Sequence, residues 1–343
     1  MISNILASTL WLLLSFQPSA RLVQSTSVVT TKSAAGTTSA RTLTYVMRGE
    51  VRFLFFWVGR DNVGGGRISL SRDAENTVGQ LWEEAEVLFG SNPERVPGKV
   101  NMWGYGKERT CWKLTQGGGQ ELVQSVFEGF MRPRDEFPAD MQDYTKARKG
   151  QGSFLYKAVR SEVNEKEATT EIRFFVEKED FNYRAPERLI RKYRQSISST
   201  PPEIRRELPR QAANYETPAG FLTAAQSLVT RISDQAARNP KGWTGFRPST
   251  RYAFHAKPYL LSVRKIRSAE NFQAPFIGKP GAVSPIAEVD FRISNVKDAM
   301  EDDFTLWFAL DGPMQGLPLR IVYQPKWWLR LRLDLTKVMS DEF

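Results

Sequence analysis

The clearest pattern lies in the last forty residues. Phe304–Phe308, Leu317–Tyr323 and Lys326–Leu335 are apolar-rich runs separated by Asp311-Gly312-Pro313 and a second short break, the order of strand, turn, strand, turn, strand. In the last run Leu329, Leu331, Leu333 and Leu335 alternate with Arg330, Arg332 and Asp334. A period of two places the leucines on one face and the charges on the other, as in a half-buried antiparallel strand. By that parity Trp327 shares the leucine face and turns to the core, whereas Trp328 points outward beside Arg330.

The same reasoning runs along the rest of the chain. Leu43–Val58 is rich in β-branched and aromatic residues, and Arg67–Leu70 follows it after Gly64-Gly65-Gly66, so the pair reads as a hairpin with a loose glycine loop. That triple glycine lacks the Lys-Ser/Thr of a phosphate-cradling loop. Val78–Phe89 fits either a short helix or a strand, and Val100–Leu114 fits a strand. Gln120–Met131 carries Leu122, Val123, Val126, Phe127 and Phe130 at helical spacing and predicts a helix. Phe154–Val159 and Glu171–Val176 predict strands, and the polar stretch Arg132–Lys149 a loop. A helix is expected from Ala185 to about Ser196, with Pro186 at a tolerated early position, then a helical turn over Glu203–Leu208. Ala219–Ala237, with Phe221, Leu222, Leu228, Val229 and Ile232, predicts the clearest helix. Strand patterns return at Tyr252–Val263 and Ile286–Ile293.

The expected fold class is therefore α+β: one large, mostly antiparallel, curved sheet of half-barrel type, with a helical segment packed on it or inserted in it. The divisions are residues 1–25 as a signal peptide, 26–42 as a Ser/Thr-rich tether, 43–178 as a β-rich first half, 179–245 as the helical segment, and 246–343 as a second half completing the same sheet. The signal rests on the apolar run Ile5–Phe16, too short for the roughly 20 residues of a membrane span. Its n-region, Met1-Ile2-Ser3-Asn4, has no basic residue. Export to a bacterial periplasm or cell surface follows, and the solitary cysteine implies that folding needs no disulfide.

Composition narrows the chemistry. Of 343 residues 41% are hydrophobic, enough for a large core, and the net charge is +10, which favours anionic partners. One cysteine, Cys111, and one histidine, His255, rule out clustered Cys or His metal sites and the two-histidine metalloprotease motif. No metal or other cofactor is expected, and no nucleophile elbow is present. Glu83, Glu84, Glu86, Asp302 and Asp303 are the acids that could pair for glycoside hydrolysis, which needs two carboxyls across a cleft. The segment Arg184–Arg210 holds eight basic residues against three acids, and Arg188, Arg191 and Lys192 are neighbours on its helix, a candidate anion site. Trp103, Tyr105, Trp328 and Arg330 are the candidate ligand wall.

Two hairpins also resemble a known group. Leu43–Met47 through Trp57-Val58-Gly59 and Arg67–Leu70, together with Phe304–Phe308 and Leu317–Ile321, are similar to the first and last hairpins of exported bacterial proteins of unknown function. That resemblance covers about a quarter of the chain. It implies a curved antiparallel sheet like the half-barrel of periplasmic lipoprotein carriers, and no catalytic residues. The expected function is a non-enzymatic envelope protein that binds an apolar or amphipathic ligand, or an anionic envelope component, in the sheet concavity, with no nucleic acid as partner and no transmembrane span in the mature chain. Alternatives are an envelope-glycan hydrolase and a basic adhesive surface protein.

Overall fold

The computed structural model describes residues 39–53, 55–73, 80–92, 94–96, 103–115, 120–131, 154–177, 188, 190–191, 205–212, 219–254, 257–269, 272–276, 279–283, 285–295 and 300–340. The expected signal, residues 26–38 of the expected tether and the Arg132–Lys149 loop lie outside these residues, as does His255, whereas residues 39–42 of the tether are strand.

Strands account for most of what is described. The first half gives β1 (Ser39–Phe53), β2 (Phe56–Asp73), β3 (Gln80–Ser91), β4 (Trp103–Leu114), β5 (Gln120–Met131), β6 (Phe154–Asn164), β7 (Glu167–Glu177) and β8 (Arg205–Ala212). Helix α1 (Phe221–Arg238) follows. The second half gives β9 (Ser249–Phe254), β10 (Lys257–Ala269), the small hairpin β11 (Phe272–Phe276) and β12 (Lys279–Val283), then β13 (Ile286–Asn295), β14 (Met300–Ala309), β15 (Pro318–Lys326) and β16 (Leu329–Ser340).

Fourteen of these strands form one antiparallel sheet in the order β8-β7-β6-β5-β4-β3-β2-β1-β16-β15-β14-β13-β10-β9. Each half is a run of hairpins, and β16 joins them by pairing with β1 on one side and β15 on the other. The two chain halves therefore share one sheet, as the terminal patterns predict. The sheet curls further than a half-barrel. Ala253 of the β9 edge packs with Val163 and Ala168 of β6 and β7, and Phe254 meets Phe127 of β5 at 5.3 Å between ring centroids. The result is nearly closed and barrel-like.

Helix α1 lies in the concavity. Its apolar side, including Phe221, Leu222, Leu228, Val229 and Ile232, is buried in one cluster with Leu43, Tyr45, Val289, Phe291, Leu306, Ile321 and Leu333. Phe221 packs edge-on to Tyr252 at 5.3 Å and near Phe304 at 6.4 Å. Burial at this scale contributes most of the stability, at roughly 25 cal/mol for each Å² of apolar surface removed from water.

Several expectations are corrected. Gln120–Met131 is strand β5, not a helix. Its apolar side chains fail to alternate because both faces of the sheet are covered there: Phe130 is buried beside Tyr105 on one side, and Phe127 meets Phe254 on the other. Residues 205–208 belong to edge strand β8 rather than to a helical turn. An edge tolerates its Pro209, whose missing N–H would break a ladder on a central strand. Tyr252–Val263 is two strands, β9 and β10, paired as a hairpin. The described part of Val78–Phe89, residues 80–89, is strand β3. The first hairpin turns between Phe53 and Phe56, and the triple glycine lies within β2. A side chain at Gly64 would meet the Gly90 carbonyl oxygen at 2.3 Å, so the close approach of β2 to β3 needs a glycine there. Trp327 does not face the core: with Trp328 it makes the two-residue turn between β15 and β16, and it is 70% exposed.

Candidate functional site

The concave face, expected to be the open binding surface, is filled by α1. Its N-terminus is tied to the opposite wall by Glu108 of β4. The Glu108 carboxylate accepts from the Leu222 and Thr223 backbone N–H groups at 3.0 and 3.1 Å and from the Thr223 hydroxyl at 2.7 Å. These are donors that a helix start leaves without intrahelical partners, so a strand side chain supplies the cap. Burial raises the Glu108 pKa, opposed by the hydrogen bonds from Thr223 and Leu222.

The open space lies on the other side of the sheet. A groove of about 560 Å³ crosses the outer face of β10, β13, β14, β15, β16 and β1. Its floor is the polar parity of the strands whose apolar parity forms the core. In β13 the residues Ala287, Val289, Phe291 and Ile293 turn in, while Glu288, Asp290 and Arg292 turn out. In β16 Leu333 and Leu335 turn in and Arg330, Arg332 and Asp334 turn out. Strand β11 lies against β16, and its Phe272 ring sits under the Arg320 guanidinium.

Most charges in the groove are paired. Arg292 donates to Asp303 at 2.7 and 2.8 Å and to Glu301 at 2.6 Å, contacts that raise its pKa, Asp303 first. Arg267 at the groove margin is held by Glu288 and Asp290 at 2.7–2.9 Å, and its pKa is raised, first by the Glu288 hydrogen bond. Glu50, only 5% exposed, is paired with Arg330, with Arg48 at 3.2 Å and with Arg332 at 3.9 Å. Arg320 pairs with Asp334 and lies over the Trp307 ring at 4.6 Å and the Phe272 ring at 5.4 Å.

Arg264 is the exception. The pairing of β10 with β13 shifts between Val263 and Lys265, so Arg264 is the extra residue of a bulge. A bulge redirects one side chain out of the alternation. Arg264 is exposed, lines the groove, and has no acidic partner among the described residues. Trp307 and Val322 supply apolar floor nearby, and Thr305 and Gln324 supply polar edges.

The sequence candidates fall unevenly around this groove. Arg330 is in it, with its guanidinium over Trp57 at 4.5 Å. Trp328 is 41% exposed at the neighbouring turn. Tyr105 is buried, donating to Glu86 at 3.1 Å with its ring 5.1 Å from Phe130, and so offers no ligand wall. Trp103 begins β4, and its side chain lies outside the described residues. Arg188 and Arg191 have helical backbone and exposed side chains, whereas Lys192 lies outside the described residues. The sequence candidates are thus not brought together as one site.

The candidate acids are divided between faces. Glu83 pairs with Arg72 at 3.5 Å and accepts from Trp112 at 2.9 Å, and burial raises its pKa against those two contacts. Glu84 pairs with Lys107 at 2.6 Å and Glu86 with Arg67 at 3.6 Å. Asp302 accepts from Tyr323 at 3.3 Å on the core side, while Asp303 faces the groove. Adjacent acids in a strand point to opposite sides, so neither consecutive pair faces across a cleft. Cys111 is buried and forms no disulfide. Among the described residues, no group of three His, Cys, Asp or Glu side chains is placed to hold a metal ion, and no helix is long and apolar enough to cross a membrane.

Sequence reasoning missed Arg264, Trp307 and Arg320. The only legible signal was the polar parity of the last strands, because the groove is assembled from positions as distant as Glu50 and Arg330. Comparison with known proteins adds little to this geometry. No family model matches the chain, and no curated protein matches it. Among solved structures, a beta-barrel-like protein of domain of unknown function DUF1849 from Brucella abortus aligns with 90% of this chain and 100% of its own, at 10% identity and a TM-score of 0.39.

Proposed function

We propose that this chain is a non-enzymatic binding protein of the bacterial cell envelope, whose ligand is an anionic, amphipathic envelope component held in the outer groove. The observation that carries the reading is Arg264. Four other arginines line the groove, and each contacts a carboxylate, with Arg320, Arg330 and Arg332 sharing Glu50 and Asp334; Arg264 is the one groove arginine with no acidic partner among the described residues. A carboxylate or phosphate would take a two-pronged contact from its guanidinium. The apolar part of the ligand would rest on Trp307 and Val322, beside the Arg320 plane. An outer site replaces the expected inner one because α1 and the core side chains occupy the concavity.

The test is purification of the full chain from a bacterial envelope, followed by native mass spectrometry and lipid extraction. The expected result is a bound anionic species that is lost from Arg264→Glu. A protein that carries no ligand, or one whose ligand survives that charge reversal, contradicts the reading. A hydrolase reading gains no support, since the candidate acids are held in separate ion pairs and hydrogen bonds.

A further inference from the structure

The turns β1–β2 and β15–β16 lie side by side at one end of the sheet. Val51 pairs with Leu329, and the Arg52 backbone N–H donates to the Trp328 carbonyl at 2.8 Å. Together they present the largest exposed apolar side chains among the described residues. Phe55 is 93% exposed, Trp327 70%, Phe53 60% and Phe56 55%. Val51, Val58 and Trp328 extend the same patch. A contiguous apolar surface of this kind marks a contact site rather than ordinary surface.

We infer that this tip is a membrane-docking surface that inserts into the interface of an anionic bilayer. Three observations select a lipid surface as the occupant. The first is shape. The aromatic residues crown two hairpin turns, with Phe53 and Phe56 packed at 5.7 Å between centroids, so the patch is a wedge and not a flat face. A wedge suits a deformable interface, where Trp and Phe partition at the headgroup level.

The second is backbone satisfaction. Hydrocarbon penalises any unpaired N–H or C=O. The first hairpin is paired to its end, through Val51 with Val58, Arg52 with Trp57 and Phe53 with Phe56. The second is paired at Lys326 with Leu329. The two turns also pair with each other, Val51 with Leu329 and the Arg52 N–H with the Trp328 carbonyl, while the outer edge of β2 from Phe56 to Asn62 runs past the end of β3.

The third is charge. Arg52, Arg60 and Lys326 collar the aromatic residues and have no acidic partner among the described residues. Of the nearby acids, Glu50 is buried beneath arginines and Asp61 is paired with Arg48 at 3.1 Å. A cationic collar behind an apolar point complements anionic headgroups above an acyl layer. The sequence signal is Phe53-Leu54-Phe55-Phe56-Trp57, five large apolar residues in a row.

Sedimentation of the full chain with vesicles tests the inference. Vesicles of phosphatidylglycerol and phosphatidylcholine at about 3:7 should bind it, and pure phosphatidylcholine should bind it at least about fivefold more weakly, with the difference shrinking in high salt. The double variant Phe55→Ser/Trp327→Ser should weaken binding to the anionic vesicles by about tenfold or more, with an unchanged circular dichroism spectrum. Brominated lipid should quench tryptophan fluorescence in the wild type and less in Trp327→Phe/Trp328→Phe. The inference is overturned if the wild type ignores anionic vesicles, or if the double serine variant binds them within about twofold of the wild type. It is equally overturned if the wild type ignores vesicles but self-associates through these residues, which would make the tip a protein interface.

Discussion

At the scale of single residues, Glu108 shows how a buried charge fixes the architecture. It reaches from β4 across the concavity to cap α1, so one side chain joins a wall of the sheet to the helix inside it. Glu108→Ala strands the Leu222 and Thr223 backbone donors and leaves the Thr223 hydroxyl with Thr110 alone, and is expected to cost about 2–4 kcal/mol by urea unfolding. Gly220→Ala tests the same contact from the other side. Its backbone is ordinary, with φ of −80°, but the added carbon would lie 2.6 Å from the Glu108 carboxylate, which is pinned by its hydrogen bonds. That substitution should destabilise by about 1–3 kcal/mol, and by much less when Glu108 is already alanine. The pH dependence has a definite sign. Burial raises the folded pKa of Glu108 above its unfolded value. The folded state therefore keeps this proton to higher pH. The stabilisation so gained is full below the unfolded carboxylate pKa and is lost as pH rises from there through the folded one. Relative to Glu108→Gln, the wild type should gain unfolding free energy as pH is lowered from neutrality toward about 4. A shift in the opposite direction would show that hydrogen bonding outweighs desolvation at this site.

At the scale of elements, legibility follows one-sided burial. The last strands and α1 were readable because each has a buried side and a solvated side, which leaves a period of two or of 3.6 in the sequence. β5 was not, because Phe130 is buried on one side of the sheet and Phe127 packs on the other. Strand β8 was hidden for a different reason: Pro209 reads as a breaker, and only an edge position admits it. The groove was invisible for a third. Its key residue, Arg264, is placed by a bulge, and no residue type or spacing in Leu261–Arg267 announces one. Strand β16 carries the greatest consequence for folding, since it pairs on both sides. Leu333→Pro would break hydrogen bonds in the middle of that ladder and leave a void at a fully buried position. It is expected to cost more than about 3 kcal/mol and to leave little soluble protein, as measured by expression and circular dichroism. A folded Leu333→Pro protein of near wild-type stability would argue against the β1–β16 junction.

At the scale of the molecule, the two halves of the chain are one curled sheet closed over one helix, with polar strand parity left outside to build a groove. Because β1–β16 joins the halves through a shared core, unfolding in urea should be a single transition, with tryptophan fluorescence and far-ultraviolet circular dichroism superimposable. Two separated transitions would mean that the halves fold apart. The function proposed here depends on which face of that sheet meets the ligand. The most direct measurement is a nuclear magnetic resonance titration of the full chain with a water-soluble, short-chain phosphatidylglycerol, following arginine Nε–Hε and backbone signals. The account predicts saturable shifts at Arg264, Arg330 and the Trp307 strand, all lost in Arg264→Glu. Shifts confined instead to the inner residues around Phe221, Leu228 and Tyr252, or unaffected by that substitution, would contradict it.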